Sequence, residues 1–379
     1  MFPEYSNKTL KILCSLHDGL KELYLFCLNY EAYVALLVFI VNFFHFIVLT
    51  RKSMRSSSIN WIMAATAITD MISQLWPLFW GLAQIFAFFY PCYSKKTAYL
   101  IYFLDNLFTA IDSFSRRCTT WLSLSMAFIR TLVIRNPLKL HYDNLTKPKA
   151  AFIVVVIVGI ACLPLGIMNY FWRAIIEEEG VEECTGNGTS GFEYYTETSA
   201  WFADNDMLVY NIYYYLEGVF FKFIPSILFP IVTIFLIIEI RKNDKSSRKA
   251  LNSRSEKDSG KMTRLIFYLS LTFFVGEFPM AILYTLNPIL DRYSNNPGFY
   301  FATVYAQSIF FTVLRVTSAI HFLICFLMSS QYRTTATSVI LCGYTPKQNI
   351  IQPVQSIHSG ATSAVFSKNA SPPVTRTQF

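Results

Sequence analysis

At 379 residues the chain is long enough for two soluble domains, yet 54% of it is hydrophobic and only 15% charged, with a mean hydropathy of +0.38. Soluble domains carry about 25% charged residues, so this balance excludes a soluble enzyme and indicates one polytopic membrane domain. The formal charge of +8 then reflects where bases fall relative to the membrane, not a nucleic-acid partner.

Residues 1–30 lack the basic, apolar, then small-residue pattern of a cleaved leader. Asn7 opens a glycosylation sequon there. The first apolar run, Tyr33–Thr50, is closed by Arg51, Lys52 and Arg55. Bases at that end predict a cytoplasmic loop and place residues 1–30 outside as an extracellular N-terminus. A second run, Ile59–Phe89, contains Asp70 and a predicted kink at Pro77. The third begins near Ala98 and carries Arg116, Arg117 and Arg130 before Asn136-Pro137. The fourth, Ala150–Trp172, contains Pro164, and the fifth, Asn211–Ile240, contains Pro225 and Pro230. Leu265–Leu286, with Pro279, is the sixth, and Tyr300–Met328 the seventh. Each suits a hydrocarbon core of about 30 Å, which needs roughly 20 helical residues. Basic loops alternate with acidic ones across the seven spans, as correct topology requires.

Beyond Met328, Ser329–Gly343 predicts a short amphipathic helix on the inner surface, with Cys342 a palmitoylation candidate. Residues 344–379 are polar and predicted to be a disordered cytoplasmic tail. The expected fold is an all-α membrane protein: a seven-transmembrane helix bundle over residues 31–343 with a short amphipathic eighth helix.

Charges inside the spans carry the functional reading. A guanidinium in hydrocarbon costs roughly 2.5–3.5 kcal/mol on insertion scales, so Arg116 and Arg117 must face protein or water. Asp112 and Arg116 are one turn apart, the spacing of an intrahelical pair. Asp105, Glu217 and Glu277 are further acids in the bundle; Glu277, beside Pro279, is the one best placed for a ligand. These acids either neutralise the arginines or receive a cationic ligand. Outside, the loop Arg173–Tyr210 is strongly acidic, notably at Glu177, Glu178, Glu179, Glu182 and Glu183, a vestibule that concentrates cations. Asn187 opens a second outside sequon, whereas Asn144 and Asn369 fall inside. No HExxH, GxSxG or phosphate-binding glycine loop occurs, and the eight cysteines show no metal spacing, so neither an enzyme nor a cofactor is expected. Buried Asp70, Arg116, Arg117 and Glu277 leave an ion path, hence a transporter or channel, as the rival reading.

The stretch TWLSLSMAFIRTLVIRNP resembles the third helix of rhodopsin-like G-protein-coupled receptors, and more closely the serpentine receptor class W family, relatives of FMRFamide and myosuppressin receptors. In order along the chain, Asn42 resembles the family's first-helix Asn, Asp70 its second-helix Asp and Arg130 the Arg of Asp-Arg-Tyr, here between Ile129 and Thr131. Pro225 and Pro279 match the bends of helices five and six, Phe273 the core aromatic below the latter, and His321 stands where the seventh helix normally has Asn. The resemblance implies a receptor at the plasma membrane, its switch built from these residues. Its ligand would be an amidated neuropeptide ending in Arg-Phe-amide, or a small chemosensory molecule, meeting Asp112, Arg116, Arg117, Glu217 and Glu277. Heterotrimeric G protein, arrestin and membrane lipids are the implied partners. The family's bridge from helix three to the second outside loop would pair Cys92 with Cys184. Its sodium ion beside Asp70 would be replaced by a protonated His321.

Overall fold

Lipid offers no partner to backbone N–H and C=O groups, so long apolar runs must close their hydrogen bonds internally as helices. The computed structural model describes residues 7–90, 94–136, 144–179, 192–248, 268, 271–287, 289 and 297–341. The helices are α1 (Asn7–Leu49), α2 (Ser58–Ser73), α3 (Leu75–Phe89), α4 (Lys95–Arg135) and α5 (Pro148–Trp172). After an antiparallel ribbon, β1 (Arg173–Glu179) and β2 (Phe192–Thr198), come α6 (Ala200–Tyr215), a π-helical segment (Leu216–Phe223) and α7 (Ile224–Arg248). Then follow α8 (Leu271–Asn287), α9 (Pro297–Met328) and α10 (Ser330–Ile340).

Five rods are long and apolar enough to cross a membrane: α1, α2 with α3, α5, α6 with α7, and α9. The charge-bearing α4 and the shorter described α8 complete a bundle of seven spans. The chain is therefore a multi-pass membrane protein.

Three elements differ from the sequence reading. With 43 residues, α1 is about 64 Å long at 1.5 Å per residue, roughly twice what the bilayer needs. No proline interrupts it between Asn7 and Tyr33, and its N-terminal half has a partner: Tyr24 stacks on Tyr305 of α9 at 4.9 Å. The boundary expected at residue 30 thus falls inside a continuous helix. The second span breaks at Gln74 rather than at Pro77. Proline removes an N–H and crowds the carbonyl four residues earlier, which is that of Ser73. The Asp70 carbonyl, released from regular helix bonding, accepts from Ser73 Oγ at 2.8 Å and Gln74 Nε2 at 2.9 Å.

The third difference is the ribbon in the acidic loop, running from Arg173 opposite Thr198 to Glu179 opposite Phe192. Tyr194 anchors it on α4, its ring 5.8 Å from that of Tyr99. Lys95 at the start of α4 ties to Glu177, and that hydrogen bond holds the Lys95 ammonium above its usual pKa.

Local chemistry sets the remaining ends. Ser94 caps α4, its Oγ accepting from Thr97 N at 3.2 Å. The helix stops at Asn136, whose φ of −128° leaves the helical region, as the residue before a proline prefers. Ser329 caps the eighth helix, α10, which docks through Tyr332: its hydroxyl lies 2.6 Å from His45 Nδ1. Ser53, in the loop between α1 and α2, reaches Thr335 of α10 at 3.0 Å.

Several expectations lie outside the described residues: Cys92, Cys184, Asn187, Cys342, the inner loop 249–264, the start of the sixth run and the tail 344–379. The side chain of Asn7 is not described either.

Candidate functional site

The interior charges pair with one another across helices. Arg116 Nε donates to Asp112 Oδ1 at 2.8 Å, the i,i+4 contact its spacing predicts. Arg117, one residue on and about 100° around the helix, faces another neighbour and donates from Nη1 to Glu217 Oε2 at 2.7 Å. Lys222 Nζ donates to Glu277 Oε2 at 3.0 Å, and Thr120 Oγ1 to Glu277 Oε1 at 2.8 Å. Arg315 of α9 ties to Glu31 of α1. Arg116 and Arg315 also lie over the rings of Phe311 and Trp76, at 4.9 and 5.8 Å.

The π segment makes two of these pairs possible. Glu217 and Lys222 are five residues apart, about 140° around an α-helix of 3.6 residues per turn. Winding with i→i+5 bonds, seen in Ile224 N–H bonding the Val219 carbonyl, turns both side chains into the bundle. Pro225, which has no N–H to give, ends the segment. Gly218 is needed within it: a Cβ there would sit 2.8 Å from Thr285 Oγ1 and 2.9 Å from Thr285 N of α8.

The acids named as ligand groups, Asp112, Glu217 and Glu277, are thus each held by an internal cation. Sequence reasoning missed Lys222, Glu31 and Arg315, although each is a lone charge in or beside an apolar run. Asp105 accepts the indole N–H of Trp76 at 2.8 Å and of Trp80 at 2.7 Å, with Arg173 at 3.6 Å. Buried pairs of this kind repay their desolvation only in good geometry, so they fix which helix faces meet more than they add stability.

Beneath the pairs lie two small cavities that share Asp70. One, of about 40 Å³, is lined by Asp70, Gln74, Arg116, Glu277, Arg315 and His321, among others. The other, of about 20 Å³, includes Asn42, His45, Asp70, Ser123, His321 and Cys325. Thr119 donates to Asp70 at 2.8 Å, and Asn42 binds the Val38 carbonyl at 3.1 Å and Ser318 Oγ at 3.3 Å. His321 borders both cavities but makes no hydrogen bond to Asp70. Arg116 lines the larger cavity together with Asp70 and His321. Around the larger cavity Arg116 already pairs with Asp112, Arg315 with Glu31 and Glu277 with Lys222, which leaves Asp70 without an ion pair among the described residues.

Phe273 stacks on Phe229 at 4.5 Å between α8 and α7. Pro279 follows two residues after Glu277. Arg130, near the C-terminal end of α4, has a buried Nε without a partner, and among the described residues no carboxylate meets its guanidinium.

Comparison with known proteins agrees with this arrangement. The family described as "Serpentine type 7TM GPCR chemoreceptor Srw" matches residues 29–343. The "G-protein coupled receptor dmsr-1" of Caenorhabditis elegans is 23% identical over 248 residues, covering 64% of this chain and 48% of that relative. The match therefore spans about half the relative's own length.

Proposed function

Because the chain belongs to the serpentine-type seven-transmembrane G-protein-coupled chemoreceptor family Srw, a family of non-enzymatic receptors, we propose that it is a plasma-membrane receptor for an amidated neuropeptide of the Arg-Phe-amide type. Its N-terminus faces outside, and the bound peptide drives nucleotide exchange on a heterotrimeric G protein. The observation that carries this reading is the cluster of internal ion pairs on α4, the π segment, α8 and α9, lying inward of an acidic ribbon. A cationic peptide can exchange with such pairs. Displacing Lys222 from Glu277 unties the π segment from α8 two residues before Pro279, which couples occupancy to movement of α8. Arg130 and the basic inner loops form the G-protein and lipid surface, and Ser and Thr residues from Ser356 onward take phosphate for arrestin. Cys92 with Cys184 would bridge the outside loops, and Asn7 and Asn187 would carry glycans.

The family's description as chemoreceptors favours a second reading, a small-molecule ligand. A screen of amidated peptides against small odorants on cells expressing the chain separates the two, read as ligand-evoked G-protein release. Activation by odorants alone overturns the peptide reading, and ligand-free ion flux in reconstituted vesicles overturns the receptor reading. For an active cationic peptide, replacing Glu177, Glu178 and Glu179 by Gln should slow association about tenfold at low salt and far less at high salt. An association rate unaffected at low salt would remove the ribbon from the approach path.

A further inference from the structure

A cavity of about 1040 Å³ lies between the middle of α1 and α3, with α4 and the ribbon also lining it. It reaches the upper end of the range for small-ligand pockets, about 300–1,000 Å³. Its walls are aromatic: Tyr24 and Tyr33 from α1, Trp76, Trp80 and Phe88 from α3, and Tyr102 from α4. Where α1 and α3 touch, a Cβ on Gly81 would lie 2.6 Å from that of Ala32, which fixes how closely the two walls stand. Leu82 and Phe88, both lining the cavity, are 67% and 81% exposed on a rod that spans the membrane. In a bilayer such side chains face lipid, so the cavity can fill sideways from the membrane.

One polar group stands in the α4 wall. Asp105 is 4% exposed and spends Oδ1 on the indole N–H groups of Trp76 and Trp80, at 2.8 and 2.7 Å. Its Oδ2 faces Arg173 Nη1 at 3.6 Å, an ion pair too long for a hydrogen bond. Both residues line the cavity, and the other acid in the lining, Glu31, is held by Arg315. A hydroxyl can donate to Oδ2 and accept from Nη1 at once, which completes both groups. A phosphate or carboxylate would suit Arg173 but oppose Asp105, and an ammonium would do the reverse. The body behind the hydroxyl must be apolar. Walls of rigid rings favour a rigid, flat body, which loses less conformational freedom on docking than an acyl chain. We propose that this cavity is a lateral binding site for a sterol, its ring system between α1 and α3 and its hydroxyl joining Asp105 to Arg173. Because β1 begins at Arg173, an occupied site ties the base of the ribbon to α3 and α4. The site stands apart from the ion-pair cluster and from the choice of agonist.

The test uses the purified full chain in phosphatidylcholine nanodiscs, with a diazirine-bearing cholesterol as the probe and cross-linked residues mapped by mass spectrometry. The competitors are cholesterol, its methyl ether, dioleoylglycerol, oleic acid and sphingosine. Labels should concentrate on the cavity walls of α1 and α3. Cholesterol should displace them about tenfold more effectively than any other competitor, since the ether cannot donate to Asp105 and the acid and amine each meet a like charge. Leu82→Trp alters an exposed side chain, so the fold should survive while the cavity narrows. It should cut labelling there roughly fivefold and leave labelling elsewhere unchanged. In Asp105→Asn, Oδ1 keeps the indoles while the group facing Arg173 becomes a donor, so the ether should compete as well as cholesterol. Should that variant fail to fold, the ranking on the native chain decides alone. Labels spread evenly over the exposed helix faces would show that there is no site. Equal competition by the ether or by dioleoylglycerol on the native chain would overturn the sterol assignment. Stronger displacement by oleic acid or sphingosine would make this a site for a charged amphiphile and overturn it too. No readout needs G protein, so the result stands or falls separately from the receptor reading.

Discussion

Replacing Arg130 by Leu should reduce ligand-evoked nucleotide exchange to background while the protein still reaches the surface and binds ligand with near-native affinity. Its guanidinium has a buried Nε that bonds nothing, and position 129 carries Ile instead of an acid, so the charge is held without a carboxylate. An uncompensated charge in such a place costs several kcal/mol. A fold has no structural use for it, whereas a partner protein offering carbonyl oxygens does. Removing the charge should therefore leave the thermal midpoint unchanged or raise it. Exchange on reconstituted G protein, surface labelling and the unfolding midpoint together make the measurement. Parallel loss of expression, binding and midpoint would show that Arg130 is a structural element of α4.

The spans were legible because lipid imposes a single rule, about 20 apolar residues with internal hydrogen bonds. The Arg116–Asp112 pair was legible for a similar reason: i,i+4 spacing on one helix needs no knowledge of its neighbours. The pairings of Arg117 with Glu217 and of Lys222 with Glu277 were not. Their partners are 100 and 55 residues apart, and the π segment between Tyr215 and Ile224 changes which faces look inward. A reading that keeps 3.6 residues per turn through Leu216–Phe223 sends Lys222 about 140° away from Glu217 and so overlooks it. Lys222, Arg315 and Glu31 did leave a signal, each a lone charge in or beside an apolar run, and by the cost of burial each demands a partner. The break at Gln74 was half visible, because Pro77 acts on the residue four before it and not on its own position. The ribbon was hidden inside a loop defined by its charge: FEYYTET is rich in residues that favour strands, but RAIIEEE offers only Ile175 and Ile176 beside three glutamates that do not.

The largest stability effect should come from the Arg117–Glu217 pair. Arg117 is fully buried and Glu217 4% exposed, and they meet at 2.7 Å with Tyr213 beside them. Among the described residues, Glu217 is the acid that bonds this guanidinium, whose Nε and Nη2 have no further partner. Glu217→Gln removes the countercharge but leaves the cation in place, which costs about 3–5 kcal/mol in buried pairs. That loss should appear as a sharply lower unfolding midpoint and a collapse of surface expression. Replacing both members by apolar residues of similar size, Arg117→Met with Glu217→Leu, should recover most of it, because neither desolvated charge remains. The double variant then separates the two uses of the pair. If it folds and still binds the active ligand, the pair serves to align α4 with the π segment. If it folds but does not bind, the pair belongs to the ligand site. A single Glu217→Gln chain as stable as the parent would show instead that water reaches the guanidinium, and that α4 and the π segment are held together by the apolar contacts of Leu122, Cys162 and Phe221 around them.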